Sequence, residues 1–234
     1  MSFFENTRKP EGFGGKLMVA MMNVGHSAVA RWGLQFLNAA PDAKVLDCGC
    51  GGGANIKRLL KKCPRGVVKG IDYSPVSVEK SRKVNEAAIA EGRCAVLQGS
   101  VADMMGQARE KADRLHLKNV TFRQGDVGAL PYADDTFDIV LSLNGFHAFP
   151  DKEAAYREVF RVLRPGGTFC GCFYVMGEHK RTDWFVRHVY EKAGFFTPPY
   201  ETVSSLKARL DGMYTDVDMG NLKSMAWFVC RKAG

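Results

Sequence analysis

A glycine-rich stretch is the part of this chain whose residue types and spacing could do chemistry. The apolar run KVLDCG begins at residue 44 and leads into Gly49, Gly51 and Gly53. Glycines in such a loop let the backbone approach a large flat or negatively charged group closely. The loop therefore predicts a ligand site at the end of the first strand.

Three acids end successive predicted strands around this loop: Asp47, Asp72 and Asp126. Asp47 suits a ligand that presents an ammonium group. Asp72 can accept hydrogen bonds from both hydroxyls of an adenosine ribose, and Asp126 from an exocyclic amine such as adenine N6. The combination predicts a pocket for a nucleoside that has a cationic tail and no phosphate.

The same loop also satisfies the dinucleotide fingerprint, as Gly49-x-Gly51-x-x-Ala54 with Asp72 about 20 residues after the first glycine. That alternative is a dehydrogenase. A dinucleotide site points its loop amides at a pyrophosphate, so an acid just before the loop opposes the ligand. Asp47 lies two residues ahead of Gly49 and argues for the nucleoside without phosphate.

Strands and helices alternate from Lys44 onward and position these residues. Helices are expected after Ser74-Pro75 and after the cap residue Asp151. Alternating βα units predict a parallel sheet with helices on both faces. The end of the chain, YTDVDMGNLKSMAWFVCRK, predicts an antiparallel hairpin around a Gly220-Asn221 turn.

The length of 234 residues suits one domain, 1–234. Its expected parts are N-terminal helices at 1–40, a ligand-binding core at 44–174 with a possible insertion near 94–118, a helical insertion at 175–212 and the hairpin at 213–232. The helical insertion is a candidate lid or substrate-contacting element. Within it, Trp184 and Phe185 are expected on the buried face of an amphipathic helix.

Composition excludes several classes of function. The net charge of +8 is spread along the chain, and no nucleic-acid partner is expected. No apolar stretch approaches the roughly 18 residues that span a bilayer, and the N-terminus lacks a secretory layout, so a cytoplasmic protein without a membrane span is expected. Seven cysteines without zinc-ligand spacing predict reduced thiols and no metal site.

Four motifs in order resemble the class I S-adenosylmethionine-dependent methyltransferases. They are VLDCGCGGG, GIDYS, VTFRQGDVGALPYADDTFDIVLSLNGFHAFPD and EVFRVLRPGGTF, and the resemblance runs from about Lys44 to Phe173. Within that family the chain is similar to the small-molecule branch that includes the ubiquinone and menaquinone biosynthesis methyltransferases. The resemblance implies a Rossmann-like methyltransferase fold of the α/β class, with a doubly wound, mostly parallel, seven-stranded sheet and a C-terminal antiparallel hairpin.

The resemblance also implies a methyl donor, S-adenosyl-L-methionine, and the residues that bind it. The Gly49–Gly53 loop, with Asp47 before it, would pack against the methionine part. Asp72 would bind the ribose and Tyr73 would lie beside the adenine. The remaining expected contacts are Asp126 and Val127 at the adenine edge and Asn144 by the donor amino group.

A short internal repeat departs from the family pattern. VLQGSVADM at 96–104 and FRQGDVGAL at 122–130 share a Gln-Gly-Ser/Asp-Val core. Ser100 in the first copy stands where Asp126 stands in the second. We favour the second copy as the adenine contact, because it alone runs directly into LPYADDTFD and the next strand.

Methyl transfer is an in-line displacement, in which the protein mainly aligns acceptor and methyl group. A general base is needed only for some acceptors, and His147, just past the fourth strand, is the candidate. Tyr174 is a candidate for lining the acceptor pocket. A small-molecule acceptor is favoured; a protein or nucleic-acid acceptor, or a non-catalytic donor-binding module, remains the alternative. The sequence leaves the identity of the acceptor and the oligomeric state open.

Overall fold

The computed structural model describes residues 27–98, 127–192 and 195–234. The expected adenine contact Asp126 lies outside these residues, and so does Ser100 in the other copy of the internal repeat. Most of the expected N-terminal helical region and of the possible insertion near 94–118 lies outside them as well.

A seven-stranded sheet forms the centre of the described fold. Its strands are β1 (Lys44–Cys48), β2 (Val67–Asp72), β3 (Cys94–Gln98), β4 (Phe137–Leu143), β5 (Leu163–Tyr174), β6 (Thr215–Leu222) and β7 (Met225–Arg231). They lie in the order β3-β2-β1-β4-β5-β7-β6. Strands β1 to β5 are parallel, while β7 pairs antiparallel with both β5 and β6. The predicted fold class, including the terminal hairpin, is confirmed.

Helices connect these strands. They are α1 (Ser27–Leu34), α2 (Ala54–Lys62), α3 (Pro75–Val84), α4 (Glu86–Ala90), α5 (Lys152–Val162), α6 (Lys180–Phe185) and α7 (Val203–Met213), with a 3₁₀ turn at Phe146–Ala148 and a π turn at Val186–Tyr190. Both predicted caps form. Ser74 accepts a hydrogen bond from the backbone of Ser77 and Asp151 from that of Ala154, at 3.3 and 2.8 Å.

Two apolar clusters bury the two faces of the sheet. One contains the aromatic side chains of β4, β5 and α5, among them Phe137, Tyr156 and Phe173. The other packs α1 and α2 on the opposite face. All seven cysteines are buried free thiols, and burial raises the pKa of Cys94 to about 11, so they act as small apolar side chains.

The terminal hairpin turns at a different place from the one predicted. The strands reverse at Lys223 and Ser224, not at Gly220-Asn221. Lys223 adopts a φ of +51°, and the Asn221 side chain donates to its carbonyl at 3.0 Å. Gly220 stays in β6 because the Trp227 indole occupies the space of its missing side chain; a Cβ there would lie 2.8 Å from Nε1.

Within the described residues, every helix is too short or too polar to cross a membrane.

Candidate functional site

The site lies where the chain changes direction across the sheet. β1 pairs with β2 on one side and β4 on the other, so successive βα units run outward from β1 and β4 in opposite directions. In open α/β sheets, ligands bind in the crevice at the carboxyl ends of the strands at such a switch point. Asp47 is in register with Leu141 of β4, which places the Asp47 and Asn144 ends of these strands side by side.

The glycine loop is held against β2. The amides of Gly49 and Cys50 both donate to the carbonyl of Ile71, at 2.9 and 3.1 Å. A Cβ on Gly53 would lie 2.3 Å from Ser81 Oγ, so this glycine allows α3 to pack against the loop. A Cβ on Gly51, by contrast, would meet no described atom within 4 Å, and this glycine faces open space. The first glycine of the loop seats it on β2, and Gly51 leaves room for a ligand.

Asp72 ties the loop to the end of β2. Its Oδ2 accepts the amide of Gly51 and its Oδ1 accepts that of Ser74, both at 2.9 Å. Burial raises the pKa of this carboxyl, although the hydrogen bonds from Ser74 and Gly51 limit the rise. Each oxygen keeps a lone pair for a further donor such as a hydroxyl. The neighbouring Tyr73 is 46% exposed.

Asp47 is a buried acid with an unsatisfied oxygen. Its side chain is 1% exposed, and Oδ2 has no hydrogen-bond partner among the described residues. Burial, and secondarily the charge of Asp72, raise the pKa of Asp47 to about 7. A buried carboxylate is costly unless a cation or donor satisfies it. The position therefore fits a ligand that brings a positive charge.

The loop after β4 supplies a second unsatisfied group. Asn144 has a φ of +60°, and its backbone amide donates to Cys172 O at 2.7 Å. Its side-chain Nδ2 is buried without a partner within the described chain. A Cβ on Gly145 would lie 2.4 Å from Ser142 Oγ and 3.0 Å from Cys48 O, so the ends of β1 and β4 come into close contact there.

The described residues of the expected donor site thus meet at one edge of the sheet: Asp47, Gly49, Gly51, Gly53, Asp72 and Asn144, with Tyr73 beside Asp72. Val127 is half-buried and packs against the aromatic side of the core.

A small cavity opens next to this edge. It encloses about 10 Å³, close to the space that a single water molecule needs, and it is lined by Phe146, His147, Lys152, Tyr156, Phe173, Tyr174, Tyr200 and Glu201. The candidate base His147 lies in its wall and stacks on Phe196 with ring centroids 4.0 Å apart. The structure therefore places His147 and Tyr174 together, as lining residues of one cavity.

Several cavity residues have no sequence pattern that indicates a role in a site. Lys152 Nζ donates to the carbonyls of Phe149, at 3.2 Å, and Thr197, and desolvation lowers its pKa. It follows the cap Asp151 directly and resembles an ordinary first-turn lysine. Tyr200 follows Pro198 and Pro199 in the sequence TPPY; a proline-fixed segment before an aromatic residue was the available signal.

The expectation for Trp184 and Phe185 was wrong. They are 55% and 51% exposed rather than buried, because α6 turns other residues toward the domain. Asp183 of this helix accepts hydrogen bonds from the Tyr174 hydroxyl and the Gly177 amide, and Val186 is buried. Because Asp183 and Val186 hold the helix against the domain, Trp184 and Phe185 lie on its solvent-exposed side.

Comparisons with known proteins match this chain to methyltransferases. Two family models, each described as a methyltransferase domain, match residues 45–105 and 101–196. An arsenite methyltransferase from Halobacterium salinarum is 30% identical over 133 residues, covering 56% of this chain and 27% of the relative. Cycloartenol-C-24-methyltransferase 1 from Oryza sativa is 25% identical over 143 residues, covering 61% and 34%.

A solved structure has the same fold. Phosphoethanolamine N-methyltransferase 2 from Haemonchus contortus, in complex with S-adenosyl-L-methionine, matches with a TM-score of 0.70 at 11% identity, covering 100% of this chain and 60% of that one. At this identity the likeness establishes the fold alone. The chain spans about a third or less of the length of the two curated relatives described above.

Proposed function

We propose that this chain, a class I S-adenosylmethionine-dependent methyltransferase whose methyl donor is S-adenosyl-L-methionine, transfers the donor's methyl group to a small-molecule acceptor. The donor supplies an activated methyl group on a sulfonium, with a neutral leaving group. The protein's own contribution is to bind, align and exclude water.

The observation that carries the proposal is the unsatisfied Asp47 carboxylate beside an open glycine loop. In the proposed assignment, Asp47 and Asn144 hold the amino-acid part of the donor, and Asp72 binds the ribose hydroxyls with oxygens that already orient the loop. Gly51 provides the room, and Tyr73 flanks the adenine. Val127, and Asp126 beyond the described residues, complete the adenine side.

The aromatic cavity supports a small-molecule acceptor. The cavity encloses only about 10 Å³, so the support comes from its aromatic lining and its position beside the proposed donor site and not from its volume. The relatives named for arsenite and for cycloartenol bear the names of small acceptors. We assign His147, in the cavity wall, as the base for acceptors that must lose a proton.

The test is turnover with a panel of acceptor classes. Purified protein is incubated with S-adenosylmethionine and, separately, a phenol, a hydroquinone, a thiol, an amine, arsenite, a mixed tRNA or a histone, and S-adenosylhomocysteine is quantified by mass spectrometry. We expect product above the no-acceptor blank for at least one small molecule, reduced in His147→Asn for a hydroxyl acceptor. Turnover only with tRNA or histone, or donor binding without any turnover, would contradict the proposal.

A further inference from the structure

The helix beside the cavity carries two large aromatic side chains on its outer surface. α6 continues into the π turn, so residues 180–190 form one helical segment. Trp184 and Phe185 pack edge to face at 5.5 Å, and Trp184 stacks on His188 at 4.7 Å. Adjacent exposed rings of this size mark interaction surfaces more often than single exposed apolar residues do.

Basic residues flank these rings. Arg181 precedes Trp184 by three positions and His188 follows it by four, which puts these three on one face of the helical segment, and Lys192 lies two residues beyond the end of that segment. All four are exposed. The ion pairs formed in the described part of the chain involve other basic residues. We call Arg181, Trp184, Phe185, His188 and Lys192 the aromatic-basic face.

One acid within this segment, Asp183, and one just after it, Glu191, point toward the domain. Asp183 accepts a hydrogen bond from Tyr174, at 2.8 Å, and Glu191 accepts one from Tyr200, at 3.1 Å. Both carboxylates are therefore engaged with tyrosines of the cavity wall. The outer face keeps its positive charge, while the inner face holds the cavity residues.

We propose that the aromatic-basic face docks the protein on an anionic lipid surface. Tryptophan and phenylalanine insert at the level of the headgroups, and lysine and arginine are attracted to anionic lipids; the combination on one helix face is typical of interfacial helices. Because the inner side of this segment contacts the cavity wall, docking brings the cavity next to the lipid. This inference stands on the surface alone and does not depend on the methyl transfer proposed above.

The test is sedimentation of the full chain with vesicles of phosphatidylcholine, with and without phosphatidylglycerol. We expect binding to the anionic vesicles and little to phosphatidylcholine alone. Trp184→Ala/Phe185→Ala and Arg181→Glu/Lys192→Glu should each lower the partition coefficient by more than about tenfold. Their circular dichroism and thermal unfolding should match the parent chain, because the altered side chains are exposed.

A charge-matched control separates this face from the general positive charge of the chain. Lys57→Glu/Lys61→Glu, on the exposed side of α2, changes the net charge equally and should retain most of the binding. The proposal would be overturned if Arg181→Glu/Lys192→Glu and Lys57→Glu/Lys61→Glu lost vesicle binding equally. It would also be overturned if the parent chain showed no preference for anionic vesicles. Binding of a single-stranded oligonucleotide, lost in the face variants, without vesicle binding would overturn it as well.

Discussion

At the residue scale, Asp47 links stability to ligand binding. Its pKa of about 7 is far above the ordinary value of 3.8, so the folded state binds this proton more tightly than the unfolded chain does. The free energy of unfolding contributed by this group is therefore greatest below pH 4, decreases as the pH rises toward 7 and is constant above that. A ligand ammonium would remove the penalty in the folded state.

Asp47→Asn is expected to stabilise the ligand-free protein at pH 8 by about 1 to 4 kcal/mol, since one pKa unit corresponds to about 1.4 kcal/mol. Urea unfolding at pH 5 and pH 8 measures it, and the gain should be smaller at pH 5. Asp138→Asn is a control for which the opposite change in the free energy of unfolding is expected. Hydrogen bonds from the Lys44 amide and Arg164 outweigh burial and lower the pKa of Asp138, so this variant should lose stability above pH 4. An Asp47→Asn variant that is destabilised at pH 8 would contradict the account.

The same carboxylate predicts how donor affinity varies with pH. An ammonium ligand should bind the ionised Asp47, so the affinity for S-adenosylhomocysteine should rise by up to about tenfold per pH unit below 7 and level off above it. Calorimetric titration between pH 5.5 and 8 measures this slope. In Asp47→Asn the affinity should be lower and the slope largely lost; an unchanged slope would assign the titration to another group.

At the element scale, the glycine loop can be tested with a matched pair. Gly51 and Gly92 both have positive φ, +51° and +73°, and neither would place a Cβ within 4 Å of a described atom. Alanine at either position should therefore cost a similar strain, about 1 to 2 kcal/mol. Only Gly51→Ala should also weaken binding of S-adenosylhomocysteine, by more than about tenfold. Equal binding by the two variants would mean that Gly51 does not face the ligand.

The elements themselves were largely predictable, and the failures have local causes. Ser74 and Asp151 were correctly predicted as helix caps. A Ser or Asp side-chain oxygen just before a helix accepts a hydrogen bond from one of the unpaired backbone amides of the first turn. The hairpin turn was misplaced because Gly220 serves packing against Trp227 and not reversal of the chain. Trp184 and Phe185 were misassigned because periodicity shows that a helix is amphipathic without showing which side meets the domain.

At the scale of the whole molecule, the sequence was most informative about residues close together in the chain. Asp47, the glycines and Asp72 end neighbouring strands, so the alternation of βα units was enough to bring them to one edge of the sheet. The cavity was not predictable in the same way. It joins Lys152 and Tyr156 of α5 to Tyr200 and Glu201, more than forty positions later, through contacts such as that of Lys152 with Thr197. Side-chain packing between distant segments has no local pattern to reveal it.

The measurement that tests the central claim most directly is calorimetric titration with S-adenosylhomocysteine, with NAD as a parallel ligand and Asp72→Ala as the variant. The account predicts micromolar binding of S-adenosylhomocysteine, no binding of NAD, and loss of the former in Asp72→Ala, since the Asp72 carboxylate orients the loop at Gly51 and, in the proposed site, accepts the ribose hydroxyls. Binding of NAD without S-adenosylhomocysteine would mean that the glycine loop holds a dinucleotide, and the proposed donor site would be wrong.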